Sequence, residues 1–440
     1  MGAIREEKKS MAAVRRRKAA LIACMALTVP APLLFLDLSE PTAVLVILKL
    51  AAKTGSLAGT VLLIWQFLLG FRGVVSGILQ DLIWVLDLNK RLGRWSLLLI
   101  SLHPVFIGLY YLEKYDRNVF LLELQTGFSR FVLLGILAFA LLILMYATSL
   151  PLRNRIRNGA WYAYHLTAYA LFPLALIHAF GIGMTIADTG LKYVWTLLSA
   201  LFASFCLFRL LFSLGFFSAP YQVVRSVREA NRVADILMKP GSRRLEPGIG
   251  QFVYVRRGAG ARPFTVSFFE SSTGELGITV KAQGALSTSL QDVRPGDVLG
   301  LDGPYGVFAW EALESGRPVA MIAGGIGITP FRRLIRLHEE RGDPADTLFY
   351  AAERLDDIVF RREFDSLEKV KVVYVLNSEP DYPGERGLIT LDLIRRHLRA
   401  DPLSYDYLIC GPPPMIRSLE SELRRAGLPD GQIHHELFNF

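Results

Sequence analysis

Cysteine is nearly absent: Cys24, Cys206 and Cys410 are the only three in 440 residues. Three scattered thiols exclude a small secreted fold stapled by disulfides. Charge is thin as well, at 20% Asp, Glu, Lys and Arg, and neither low-complexity tracts nor internal repeats occur. With so much apolar sequence beside them, these absences exclude a disordered chain. What the chain has in excess is grease: 52% hydrophobic residues, including 27 Phe, 16 Tyr and 6 Trp, and a mean hydropathy of +0.34. That is too apolar for an ordinary soluble enzyme, and at about 150 residues per domain the length allows roughly three folding units.

The apolar residues are unevenly spread. Nearly all the long runs fall within 19–214, whereas 215–440 reads as a mixed globular sequence. Six stretches, near 19–36, 55–71, 95–112, 131–150, 161–182 and 193–213, approach the roughly 20 residues that cross a bilayer core of about 30 Å. The sixth is interrupted by Arg209, a side chain long enough to reach the headgroups. The run TAVLVILKLAA at 42–52 is read as an interfacial or loop segment rather than a further span.

Basic residues set the orientation. Arg15, Arg16, Arg17 and Lys18 precede the first stretch, Lys90, Arg91 and Arg94 lie between the second and third, and Arg153, Arg155 and Arg157 between the fourth and fifth. The opposite loops offset their few cations with Glu113, Asp116, Glu123 and Asp188. The expectation is a six-span protein of the lipid bilayer, in a bacterial inner membrane, with both termini cytoplasmic. A cleaved signal peptide is the alternative for the first stretch, and it leaves the C-terminal half on the same side. Much of the formal charge of +9 is this asymmetry, so it is no sign of nucleic-acid binding.

From about Tyr221 to Trp310 short alternating strands are punctuated by Pro and Gly, the pattern of a small antiparallel barrel. From about Arg317 strands alternate with helices, as in an open parallel α/β sheet. The expected organisation is a basic tail (1–18), a six-helix transmembrane bundle (19–214), an antiparallel β-barrel (215–315) and an α/β domain (316–440).

Gly324, Gly325 and Gly327 follow the strand PVAMIA and open a helix near Thr329 and Pro330. Glycines at such a turn let backbone approach a pyrophosphate held by helix N-terminal amides, although a tight turn needs glycine for backbone reasons too. The last strand ends in Cys410, Gly411 and Pro412, at the same carboxyl edge of the sheet, where such folds bind ligands. Cys410 is therefore a candidate nicotinamide contact, or else a small buried residue at a strand end. In the barrel, Arg262, Pro263, Phe264 and Thr265 offer a cation for phosphate, an aromatic for a ring face and a hydroxyl for a ring nitrogen. Lys281, Gly284 and Ser287 follow as pyrophosphate contacts, and Arg354, after the strand TLFYAAE, is placed to meet a 2′-phosphate, which favours NADPH over NADH.

Barrel first and sheet second, with G-G-x-G-x-T-P at 324–330 and C-G-P-P-P-M at 410–415, resembles the ferredoxin–NADP reductase-like module over roughly 220–440. The resemblance implies FAD on the barrel and NAD(P)H on the sheet. Phe264 would pack on the isoalloxazine with Thr265 near N5, and Arg262, Gly284 and Ser287 would bind the diphosphate. The final Phe440 would cover the flavin, so that Thr265, Cys410 and Phe440 stand closest to the reacting rings.

Three histidines fall inside the apolar stretches: His103 in the third, His165 and His178 in the fifth. A lone one is accounted for by a hydrogen bond to a neighbouring helix; three, joined to a flavin module, point to bis-imidazole haem. Six spans with such a module resemble the ferric reductase and NADPH oxidase family of transmembrane haem b reductases. Members carry two histidines on the third helix and two on the fifth, stacking two haems. Here Asn89, about 40° from His103 in helical phase, stands where the first ligand belongs. By the resemblance His103 and His178 form the outer haem and His165 lacks its partner. One haem only, an inner haem with one protein ligand, and an inner haem with a substitute ligand all remain open. His165 and His178 differ in phase by about 140° in an ideal helix, which a kink at Pro173 would reset.

In series these parts are expected to pass electrons from cytoplasmic NAD(P)H through FAD and haem to an acceptor beyond the membrane: dioxygen, giving superoxide, or ferric iron, with a quinone or a periplasmic protein as alternatives. A membrane-anchored NAD(P)H:flavin reductase with purely structural helices is the competing reading. A proton-coupled transporter is disfavoured by the redox module. Asp302, Glu311 and Glu436 are read as structural.

Overall fold

The computed structural model describes residues 2–75, 79–149, 151–152, 155–156, 158–258, 260–342 and 346–436. The chain divides into two compact units, one of Arg16–Leu210 and one of Met1–Arg15 with Leu211–Phe440.

In the first unit the long apolar runs become helices, the one open-ended structure that satisfies every backbone amide internally in lipid. The longer helices, of which the first begins and the last ends in the other unit, are α1 (Gly2–Thr28), α2 (Ala43–Lys53), α3 (Gly59–Leu69), α4 (Leu82–Tyr115), α5 (Gly127–Ser149), α6 (Asn158–Leu166), α7 (Ala168–Ile182) and α8 (Leu191–Ser213). Among the described residues six segments are long and apolar enough to cross a membrane: Met11–Phe35, Ala43–Leu69, Leu82–Tyr115, Gly127–Ser149, Ala163–Ile182 and Leu191–Ser213. Leu98, Leu109, Leu197 and Leu201 stand exposed on the bundle, as side chains facing lipid do.

Two expectations are corrected here. The segment at 42–52 is no loop: Thr42 caps it by accepting from Leu45 N at 3.3 Å, and α2 runs through a π-turn at Thr54–Ala58 into α3 as one span. Its lysine, Lys49, is neutralised by Glu40 at 2.8 Å. The fifth span is interrupted, but at Thr167 rather than at Pro173, which sits inside α7. Thr167 Oγ1 donates to Tyr164 O at 2.6 Å, taking up a carbonyl at the break.

In the second unit six strands close a barrel in the order β1-β2-β5-β4-β3-β6, all neighbours antiparallel. They are β1 (Ala219–Ala230), β2 (Val233–Pro240), β3 (Phe252–Arg257), β4 (Gly260–Phe269), β5 (Leu276–Lys281) and β6 (Val298–Tyr305). Tyr221, Ile236, Val253, Ile278 and Leu301 fill the interior. A six-stranded parallel sheet follows, β7 (Val319–Gly324), β8 (Thr347–Ala352), β9 (Lys371–Leu376), β10 (Glu385–Arg386), β11 (Asp406–Cys410) and β12 (Ile433–Glu436), in the order β10-β9-β8-β7-β11-β12. The order reverses between β7 and β11, and such a switch point opens a crevice at the carboxyl ends of the strands. The chain is therefore a helical membrane bundle joined to a barrel and sheet of ferredoxin reductase-like fold.

Candidate functional site

In the bundle, α4 brings His103 and α7 brings His178 to one cavity of about 670 Å³. His103 Nδ1 lies 3.2 Å from Ala52 O, and His178 Nδ1 lies 2.8 Å from Phe131 O. A carbonyl only accepts, so each Nδ1 carries the proton and each Nε2 keeps its lone pair, the state of a metal-ligating imidazole. The ring centroids are 6.0 Å apart, with planes at 74°. With both Nε2 lone pairs left to donate into one cavity, these residues fit imidazole ligation of a haem iron.

Local sequence explains this closeness. The π-turn widens the second span beside Ala52, and such turns expose backbone carbonyls to side-chain donors. Gly55 within it lets α4 approach, since a Cβ there would meet His103 N at 2.6 Å. Gly135 does the same on α5, where a Cβ would meet His178 Nδ1 at 2.6 Å. The cavity extends to Glu40, Phe120 and Asp188, in the loops joining the first and second, third and fourth, and fifth and sixth spans.

His165 is not brought to this pair. It is exposed at the end of α6, stacked on Trp161 with centroids 4.8 Å apart. The half of the bundle near Asn89 is packed with rings instead. Phe67 contacts Phe202 (5.1 Å), Phe172 (5.8 Å), Tyr169 (5.9 Å) and Phe205 (6.4 Å), and Arg209 lies 5.3 Å over both Phe71 and Tyr169. With one imidazole left and an aromatic core in place, these residues do not fit a second bis-imidazole haem. Among the described residues no group of three or more His, Cys, Asp and Glu could hold a metal ion.

In the barrel a second cavity, about 650 Å³, gathers Arg262, Pro263, Phe264, Thr265, Lys281, Gly284 and Ser287. Thr265 is buried, and its Oγ1 has no hydrogen-bond partner among the described residues, as a hydroxyl awaiting a ligand would be. Gly284 starts the short helix α9 (Ala285–Ser289), where Ser287 Oγ accepts from Gln283 N at 3.0 Å and Gly284 N at 2.9 Å. A flavin dinucleotide fits: an orphan hydroxyl and Phe264 for the ring, cations and amides for the diphosphate. Arg257, which the sequence reading did not single out, also lines the cavity and donates to Ser289 O. Its register opposite Gly260 across β3 and β4 puts it there.

Thr329 and Ile326 line the same cavity, linking it to the glycine turn. Gly325 has φ +55, the left-handed region that glycine enters freely. Gly324 abuts Pro412, where a Cβ would come within 2.7 Å of its Cδ, and Gly327 sits so tightly on Cys410 that a Cβ would lie 2.2 Å from its carbonyl oxygen. These glycines, with Gly411, let the ends of β7 and β11 meet at the switch point, and Pro330 starts α10 (Thr329–Arg341) there. Cys410 is fully buried, and burial, then the neighbouring Glu436, pushes its thiol well up. Glu436 pairs with Cys410 across β11 and β12, is 1% exposed, and burial raises its carboxyl to about 8. Its Oε2 lacks a hydrogen-bond partner among the described residues, a feature its position in sequence did not disclose. Arg354 is exposed just beyond β8. Phe440 lies outside the described residues.

Comparisons with known proteins agree with this division. Residues 54–176 match the family described as ferric reductase like transmembrane component, and 321–421 match the oxidoreductase NAD-binding domain. The chain is 32% identical over 170 residues to NADH-cytochrome b5 reductase 2 of Scheffersomyces stipitis, covering 36% of this chain and 56% of that protein. It is 33% identical over 178 residues to NADH--cytochrome b5 reductase 1 of Arabidopsis thaliana, covering 38% and 62%. In both pairs the match spans less than two thirds of the relative. Among solved structures, the FAD/NAD-binding domain of a nitric oxide dioxygenase from Vibrio cholerae is 23% identical, with a TM-score of 0.45 over 50% of this chain and 98% of that one.

Proposed function

We propose that this chain, whose residues 54–176 match a ferric reductase like transmembrane component and 321–421 an oxidoreductase NAD-binding domain, carries electrons from cytoplasmic NADPH or NADH across the bilayer to dioxygen or ferric iron, through FAD and one b-type haem. The observation that carries this reading is the His103–His178 pair: two imidazoles 6.0 Å apart in one cavity, each with its Nδ1 held by a backbone carbonyl.

Bound by these residues, FAD would supply the conversion of a two-electron hydride into single electrons, and haem iron a one-electron carrier. The protein's part is positioning. Arg257, Arg262 and Lys281 supply the positive charge for a diphosphate, with Ser287 ordering the turn beside them. Thr265 offers its unpartnered hydroxyl to the ring, and the glycines at 324, 325 and 327 let pyridine nucleotide approach at the switch point. Arg354 favours the 2′-phosphate of NADPH, whereas the relatives named above are NADH reductases. Ala52 O and Phe131 O fix the tautomers of the ligand pair and make both imidazoles more basic donors.

The test is the absorption spectrum of the purified full-length protein in detergent, before and after anaerobic addition of NADH or NADPH. A low-spin haem band that shifts on reduction is expected. Its absence, with flavin bound and reducible, would leave the membrane-anchored flavin reductase in its place.

A further inference from the structure

The cavity that holds His103 and His178 also takes in three lysines. Two are neutralised: Lys49 and Lys114 hold Glu40 at 2.8 and 2.7 Å, and the Glu40 carboxylate, 1% exposed, also accepts from Tyr110 Oη at 2.7 Å. The third, Lys53, is half-buried and has no hydrogen-bond or ion-pair partner among the described residues. Its position is closely defined. The carbonyl just before it, Ala52 O, receives His103 Nδ1, and the π-turn begins just after it. Asp37 and Asp188 line the same cavity but are exposed, and Asp37 is turned onto Ser39 N at 2.9 Å.

An ammonium at membrane depth without a counter-charge is costly, and one that lines a cavity marks a site for its missing partner. Glu40 is already shared by two cations, so no buried carboxylate among the described residues is left to pair with Lys53. We propose that Lys53 binds a carboxylate beside the imidazole pair. Two sources supply that chemistry: a propionate of the porphyrin, or the ligand shell of an anionic oxidant such as ferric citrate. The inference rests on the haem proposed above, and the experiment keeps the two apart.

Full-length protein and its Lys53→Met and Lys53→Arg variants are purified in detergent, and the haem band is recorded first; without a band in the parent protein the haem reading itself fails. If the carboxylate belongs to the oxidant, Lys53→Met raises KM for ferric citrate about tenfold relative to dioxygen, and Lys53→Arg restores it. If it belongs to the porphyrin, Lys53→Met speeds transfer of haem to excess apomyoglobin about tenfold, and the difference vanishes when both proteins carry haem dimethyl ester, which has no carboxylate. Lys53→Met within about twofold of the parent in both measurements overturns the proposal.

Discussion

The imidazole of His178 lies against the bare Cα of Gly135, so close that a methyl group there would stand 2.6 Å from Nδ1. Gly135→Ala is therefore expected to push the ring off Phe131 O and out of line with His103. Overpacking of this kind costs about 1–3 kcal/mol, and haem occupancy, read as haem absorbance per protein, should fall at least about fivefold. Unchanged occupancy with an unchanged low-spin spectrum would mean that the ring does not ligate from this position.

The ligand pair itself makes a sharper division. His103→Ala and His178→Ala should each abolish the bis-imidazole spectrum, whereas His165→Ala should retain it, because His165 stacks on Trp161 away from the cavity. Haem-to-protein ratio in the parent chain should be one. A ratio of two, or loss of half the haem in His165→Ala, would show that the aromatic core around Phe67 opens to admit a second group.

Flavin affinity should depend on Arg257, which lines the barrel cavity with Arg262 and Lys281. A hydrogen bond to a charged group is worth about 1.5–3 kcal/mol. Arg257→Ala is thus expected to weaken FAD binding by about tenfold or more, measured by fluorescence of released flavin, with haem content unchanged. Retained affinity would place the diphosphate elsewhere.

Glu436 gives a pH dependence whose sign is fixed. Burial raises its carboxyl from 4.5 to about 8 in the folded protein. Below the lower value both states hold the proton; between the two only the folded state does, so stability falls as pH rises through that window. Thermal release of flavin should therefore move to lower temperature from about pH 5 to pH 8 in the parent, with a shallower decline in Glu436→Gln. Parallel slopes would show that another group titrates.

Much of this was legible because period and composition carry it. Alternating strands announced the barrel, strand–helix alternation the sheet, and Arg262 to Thr265 with Lys281, Gly284 and Ser287 converge on one cavity. What escaped was set by long-range pairing. Arg257 reaches the cavity only through the register of β3 on β4, and the acceptors that orient both histidines, Ala52 O and Phe131 O, are backbone atoms with no side-chain signature. The segment 42–52 escaped because Lys49 lowers its hydropathy, and the charge of Lys49 is answered by Glu40 in a loop outside the span. Burial, not residue type, made Glu436 unusual.

The rings packed around Phe67 have an electrical side. An apolar barrier is where a transmembrane voltage drops, so an electron that reached the His103–His178 cavity past these rings would have crossed much of the field. In the proposed orientation, with a cell interior negative, each electron moved outward gains about 2.3 kcal/mol per 100 mV for the fraction of the field crossed. The protein would then discharge the membrane as it works, and its turnover in sealed vesicles would slow as the outside became negative.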